Sequence, residues 1–259
     1  MQPPSSYPLD PALAPTSTVP ALARRIAITC AMLVYFWAGS HGVASLSARL
    51  PPHTLGTPAD AAIPFVPWSV FIYSWAYTLA LYPLFVVRCD RLFRRVAVAF
   101  FAALTVAYAC FLAFPVTAMG LRPDVATLDT STFDGWGMRV TYALDPPLNL
   151  FPSMHVALAI LSAAAAAKAS PSLGRWAWPV VLGIMVTVYT TKQHFLVDGL
   201  AGVLLAAVVW RLVLSPYDSE SVPEAERSYG HRGALAYVAF HATFYASFYA
   251  AYRMGVTAW

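Results

Sequence analysis

Two short strings carry the chemistry available to this chain: Pro152-Ser153-Met154-His155 and His194-Phe195-Leu196-Val197-Asp198. Each falls where an apolar segment meets a loop. Imidazoles and carboxylates are expensive in a bilayer, so such groups mark candidate functional sites by default. A neutral imidazole is a good nucleophile toward phosphorus and requires neither metal nor cofactor. His194 suits that role because Asp198 follows four residues on, which a local helix places on the same face. A carboxylate there fixes the ring tautomer and stabilises the charge that develops. His155, on a different segment, is positioned to protonate a departing alkoxide as general acid, help worth roughly 10²–10⁴ in rate.

A phosphoryl group also needs positive surroundings. Arg122 offers a planar fork matched to phosphate oxygens, and Lys192, two residues before His194, is a second candidate cation. Ser153 adds a hydroxyl donor at the start of a helix, where backbone N–H groups point outward. Together these groups are expected to stabilise a pentacoordinate phosphoryl group. His41 and His241 read as packing histidines. Asp124, Asp129 and Asp134 read as solvated loop acids, so no metal site is expected.

The elements that hold these residues must be membrane helices. Hydrophobic residues make up 59% of the chain and charged ones 11%, more apolar surface than a soluble domain can bury. The net charge of +4 is spread between apolar runs, a pattern that fits membrane orientation and not a nucleic-acid surface. Cys30, Cys89 and Cys110 show no metal-type spacing, and their odd number argues against a complete disulfide framework. Six apolar segments are predicted to span: Ile26–Leu46, Ile63–Val87, Val96–Met119, Phe151–Ala167, Ala177–Thr191 and Leu196–Leu214. A seventh run, Ala234–Tyr252, rich in Tyr and Phe, is read as a further span. The expected organisation is therefore an all-α polytopic bundle. Residues 1–22 form a mobile Pro/Ser-rich tail, 23–214 a six-helix catalytic domain, and 215–259 a linker with a C-terminal apolar helix. No apolar core precedes Arg24-Arg25, so no cleavable signal peptide is expected and the first span serves as an anchor.

Arg24 and Arg25 flank the first span, Arg88, Arg91, Arg94 and Arg95 separate the second from the third, and Lys168 and Arg175 separate the fourth from the fifth. Helices alternate in direction, so these positions share one face, which positive charge assigns to the cytoplasm with the N-terminus. The loop Gly120–Leu150 then lies outside, and it carries two arginines against four aspartates. On this topology Arg122, His155, His194 and Asp198 all converge on the outer face.

At these residues the chain resembles the type 2 phosphatidic acid phosphatase superfamily. The Arg-Pro element of that family's first motif survives as Arg122-Pro123, with Pro115 where its lysine would fall. The second motif, Pro-Ser-Gly-His, appears as Pro152-Ser153-Met154-His155. The third keeps His194 and Asp198 at the family spacing, with Thr187 and Val188 in place of its Ser-Arg pair. Phe151-Pro152-Ser153-Met154-His155, Thr191-Lys192-Gln193-His194-Phe195 and Pro64-Phe65-Val66-Pro67-Trp68 resemble the branch that includes inositol phosphorylceramide synthase. The resemblance implies that the third-motif histidine is the nucleophile and the second-motif histidine the acid, the assignment reached above from residue chemistry.

The expected function is a metal-independent lipid phosphatase working through a phosphohistidine, with a lipid phosphate or phospholipid as substrate and membrane lipids as its surroundings. If a lipid alcohol replaces water as acceptor, the same site is a phosphotransferase. A non-enzymatic lipid transporter is the alternative in which His155, His194 and Asp198 relay protons or bind a headgroup. No inverted repeat is visible to support it. The many alanines and the lack of a eukaryotic sorting signal suggest a bacterial inner membrane.

Overall fold

The computed structural model describes residues 18–257 and is all-α; its described residues contain no strand and only two isolated bridges, His53 with Val116 and Val87 with Ser228. Helix α1 runs Thr18–Ser47. The tail expected over 1–22 lies outside the described residues as far as residue 17, and the chain is helical from Thr18. The second apolar run, expected as one helix, is a chain of short pieces. After α2 (Pro58–Ala62) and a 3₁₀ turn at Pro67–Ser69 come α3 (Val70–Tyr73), α4 (Trp75–Leu79) and α5 (Tyr82–Val86). Pro83 has no N–H to give the Leu79 carbonyl and its ring crowds that carbonyl, which breaks the helix there. Tighter bonds take over at the joints, Tyr77 N to Ser74 O (3.2 Å) and Leu81 N to Thr78 O (2.9 Å).

Helix α6 (Asp90–Ala113) stops short of the expected Met119. Pro115 forces Phe114 out of the helical region, and the chain continues extended to pair with His53. Within the Gly120–Leu150 loop lies α7 (Phe133–Leu144), capped by Thr132, whose hydroxyl accepts from Gly135 N. The remaining elements are α8 (Met154–Ala169), α9 (Pro171–Thr190), α10 (Leu196–Val209, continued by a π turn at Trp210–Leu214), α11 (Glu224–Arg227) and α12 (Gly230–Arg253).

This is an all-α membrane bundle. Leu22–Ser47, Asp90–Ala113 and Leu196–Leu214 are each long and apolar enough to cross a bilayer, and Met154–Ala169 is a shorter apolar helix. On α10 the residues Val197, Leu200, Leu204, Val208 and Leu212 are exposed at three- and four-residue spacing, one apolar face turned outward to lipid. The shorter α8 sits at the centre, packed by α4, α5, α6, α9 and α10. Its alanines, with Ala163, Ala165 and Ala166 fully buried, let the neighbours approach closely. On α10, a Cβ added at Gly202 would stand 2.6 Å from the Ser153 carbonyl oxygen, so only glycine lets α10 lie against the start of α8.

The two ends of the bundle differ. At one end Arg24 pairs with Asp90, Arg25 Nη1 donates to Val87 O (2.8 Å), and Arg227 Nη1 donates to Lys168 O (2.6 Å). Lys168 closes α8, and His155 opens it. Thirteen residues of helix separate them, about 20 Å at 1.5 Å per residue. The basic cluster and the two candidate histidines therefore occupy opposite ends. Helix α12 joins the bundle by stacking His241 on Trp75, ring centroids 3.7 Å apart, with His241 Nδ1 2.9 Å from Thr78 Oγ1. That histidine is a packing group, as is His41, whose Nδ1 lies 2.9 Å from Trp37 O.

Candidate active site

The site begins where α9 ends. Lys192 takes a left-handed backbone conformation (φ 54°), and the Gln193 and His194 N–H groups both turn back to the Val188 carbonyl, at 3.0 and 3.1 Å. This is a helix C-terminal cap built without glycine, which costs about 1–2 kcal/mol. The Lys192 side chain offsets that cost: its Nζ donates to Asp60 O (3.1 Å) and to Ile63 O (2.5 Å). Asp60 returns the tie by accepting from Leu196 N at 2.7 Å. Burial alone would raise the Asp60 carboxyl, but hydrogen bonds from Thr57 and Leu196 hold it below its ordinary value. The 57–63 segment is thus strapped to the turn that carries His194.

Helix α10 starts directly after that turn. Asp198 is fully buried, and its Oδ2 accepts from Phe195 N at 2.8 Å and lies 3.5 Å from His194 Nδ1. Ser153 caps α8: its Oγ accepts from Val156 N, and its own N–H donates to the Asp198 carbonyl at 2.9 Å. The starts of α8 and α10 are therefore pinned together, which places His155 against His194. His155 Nδ1 lies 3.3 Å from His194 Nε2, and the rings meet edge to face. Asp198 stands behind one ring, on the side away from the other.

Arg122 enters from the loop after α6. Its Nη1 donates to Asp145 O (2.8 Å), a second guanidinium nitrogen donates to Gln193 Oε1, and its plane sits 4.6 Å over the Tyr142 ring. Burial pulls the guanidinium below its ordinary value, while the Asp145 carboxylate pushes it the other way. Arg122 Nε, Gln193 Nε2, His194 Nδ1 and Asp198 Oδ1 are buried without a hydrogen-bond partner. Arg122 and Gln193 are joined by a hydrogen bond, so their unpartnered nitrogens lie together and are costly unless something polar binds there, whereas His194 Nδ1 and Asp198 belong to the pair behind the ring.

Of the residues singled out by sequence, His155, His194, Asp198 and Arg122 come together. Lys192 and Ser153 differ from expectation. The Lys192 ammonium is held by two carbonyls of the preceding segment, and Ser153 is a fully buried helix cap. Both shape the site through the backbone. Sequence reasoning assigned no role to Gln193, Asp145, Tyr73 or Tyr77. Tyr73 and Tyr77 stood at helical spacing in an apolar run, a polar pair that marks a buried partner. Asp145, just before Pro146-Pro147, was counted only as a loop charge.

Beside this cluster opens a cavity of about 430 Å³, lined by apolar groups from α1, α3, α7 and α12, among them Phe36, Phe71, Val140 and Phe244. His155 and Tyr77 are on its wall, and His194 is not. Among the described residues no three His, Cys, Asp or Glu side chains gather as a cation site.

The protein is thus a helical membrane bundle that gathers paired histidines, a buried aspartate and an arginine at one end. The chain belongs to the PAP2 superfamily, whose family model matches residues 51–212. Comparison with curated proteins and with solved structures gave no significant match. The matched region holds α2 to α10 and every residue of the cluster just described, while α1 and α12 lie outside it.

Proposed function

We propose that this protein is a membrane-embedded lipid phosphatase that cleaves a lipid phosphate ester through a phosphohistidine at His194. The observation that carries the reading is the opposed pair His194 Nε2 and His155 Nδ1 with Asp198 behind the first ring, at the edge of an apolar cavity. His194 Nε2 and His155 Nδ1 stand in direct contact at 3.3 Å, so the phosphoryl group enters by parting the two rings. His194 Nε2 bonds to phosphorus, Asp198 stabilises the positive ring, and His155 gives its proton to the departing lipid alkoxide. Arg122 and the Gln193 amide, whose buried nitrogens lack partners, supply donors to the equatorial oxygens. The His155 side of the site faces the cavity, so the leaving alcohol carries its hydrocarbon there.

The basic end of the bundle supports a cytoplasmic N-terminus, with the site on the extracytoplasmic side of a bacterial inner membrane. No metal takes part in this chemistry. The test is phosphate release from dioleoyl phosphatidic acid by purified protein in detergent, with His194→Ala alongside and with EDTA in a parallel arm. Release should vanish in the variant and persist in the chelator. Full activity of His194→Ala, or inhibition by EDTA that added metal reverses, refutes the mechanism.

A second reading is favoured by the same cavity. By microscopic reversibility His155 must deprotonate the acceptor of the second half-reaction, so that acceptor also enters from the cavity side. A chain-bearing alcohol fits an apolar cavity, giving a phosphotransferase like the inositol phosphorylceramide synthase branch that the motifs resemble. Adding labelled donor with ceramide or diacylglycerol separates the two: a new phospholipid marks transfer, and free phosphate alone marks hydrolysis.

A further inference from the structure

His155 has its own carboxylate. Asp145 caps the end of α7, and its Oδ2 accepts from Tyr73 Oη at 2.9 Å and from Tyr77 Oη at 2.5 Å. The same oxygen lies 3.7 Å from His155 Nε2, and Tyr73 Oη lies against the ring 3.1 Å from Nε2 and 3.5 Å from Nδ1. Tyr73 is completely buried. Its hydroxyl can donate only once, and the contact to the carboxylate takes that proton, so Tyr73 holds the carboxylate beside Nε2 while packing against the imidazole ring. The ring's other nitrogen, Nδ1, points to His194. The backbone carbonyl of Asp145 also accepts from Arg122 Nη1, so one residue sits behind both the acid and the phosphate donor.

We propose that Asp145, held in place by Tyr73 and Tyr77, is the positioning residue whose carboxylate, 3.7 Å from His155 Nε2, keeps a proton on that nitrogen and holds Nδ1 toward the scissile bond. The inference rests on the assignment of His155 as general acid. In the first half-reaction the His194 Nε2–P bond forms and the P–O bond to the alcohol breaks. The proton on His155 Nδ1 passes to the leaving oxygen, and His155 is left neutral with its remaining proton on Nε2, facing Asp145. In the second half-reaction Nδ1 takes the acceptor's hydroxyl proton as the new P–O bond forms and the P–N bond breaks. The site thus consists of two facing imidazole–carboxylate pairs, Asp198 with the nucleophile and Asp145 with the acid. The titratable and charged groups that face His155 are Asp145, Tyr73 and Tyr77 on one side and His194 and Arg122 on the other. Asp145 is the one carboxylate among them, so Asp145→Asn removes the one negative charge beside the ring.

The experiment compares esters that differ in their need for an acid. An alkyl leaving group must be protonated, whereas 4-nitrophenolate leaves without a proton. Wild type, Asp145→Asn and Tyr73→Phe are followed in single turnover on dioleoyl phosphatidic acid and on 4-nitrophenyl phosphate, with His194→Ala as the blank. Asp145→Asn should slow release of diacylglycerol about 100-fold, within the range for general acid catalysis, and release of 4-nitrophenol less than fivefold. Its rate on phosphatidic acid should also begin to fall at lower pH than that of wild type, and Tyr73→Phe should follow the same pattern more weakly. Equal losses on both esters, or an unshifted pH profile, overturn the positioning role and leave the lipid phosphatase reading standing. Failure of wild type to turn over either ester removes that reading and this inference with it.

Discussion

Replacing Asp198 by Asn tests the electrostatics of the nucleophile directly. The carboxylate is fully buried, and its Oδ2 lies 3.5 Å from His194 Nδ1. Formation of the P–N bond turns a neutral ring into a cation, so the interaction grows along the reaction coordinate. At that distance and an effective dielectric of about 20, two unit charges attract by about 4.7 kcal/mol. If half the charge has developed at the transition state, the loss is about 2.4 kcal/mol, or roughly 60-fold in rate, and full development gives about 3,000-fold. Asn retains a side-chain oxygen that can accept from Phe195 N, so the first turn of α10 keeps its cap. The expected result is therefore a fall of roughly 10²–10³ in kcat, a KM within about threefold of wild type and little change in Tm. Kinetics on phosphatidic acid in detergent micelles, with thermal unfolding measured on the same preparation, give all three quantities. A tenfold or smaller loss, or a defect confined to KM, would refute the placement of Asp198 behind the developing imidazolium.

Three further outcomes follow from packing. Lys192→Met removes two charge-assisted bonds to Asp60 O and Ile63 O and leaves the left-handed turn in place; it should lower stability by about 2 kcal/mol, read as a fall in Tm, and an unchanged Tm would show the strap to be idle. Gly202→Ala puts a Cβ 2.6 Å from the Ser153 carbonyl and should cost about 1–3 kcal/mol by overpacking while lowering kcat through separation of Asp198 from His155; wild-type Tm and kcat would contradict the close contact of α8 and α10. Val140→Trp fills part of the cavity beside His155 and should reduce kcat/KM at least tenfold more for dioleoyl than for dibutyryl phosphatidic acid, and equal losses on both would place the acyl chains elsewhere.

The legible part of this protein was its local periodicity. Apolar runs fixed by bilayer thickness, the i to i+4 spacing of His194 and Asp198, and the uneven distribution of arginine all depend on neighbours along one element. Those features named the membrane bundle, the paired histidines and the two ends of the molecule. Helix boundaries were less legible: Pro115 ends α6 through its own backbone, yet the apolar run continues past it and the span was read on to Met119. The break at Pro83 was equally local but was masked by an apolar run long enough to span.

What only the tertiary structure decided is which polar groups meet across elements. Asp145 comes from the end of α7, Tyr73 and Tyr77 from two short helices, and His155 from α8; their pairing depends on how these elements pack, and no spacing in the chain records it. Lys192 shows the converse. Its charge and its place beside His194 suggested a phosphate ligand, yet its left-handed backbone and the approach of the 57–63 segment direct the ammonium to two carbonyl oxygens. A side chain's type sets the contacts it can make. The surrounding packing selects among them, because a buried donor takes the acceptor that the fold brings within reach.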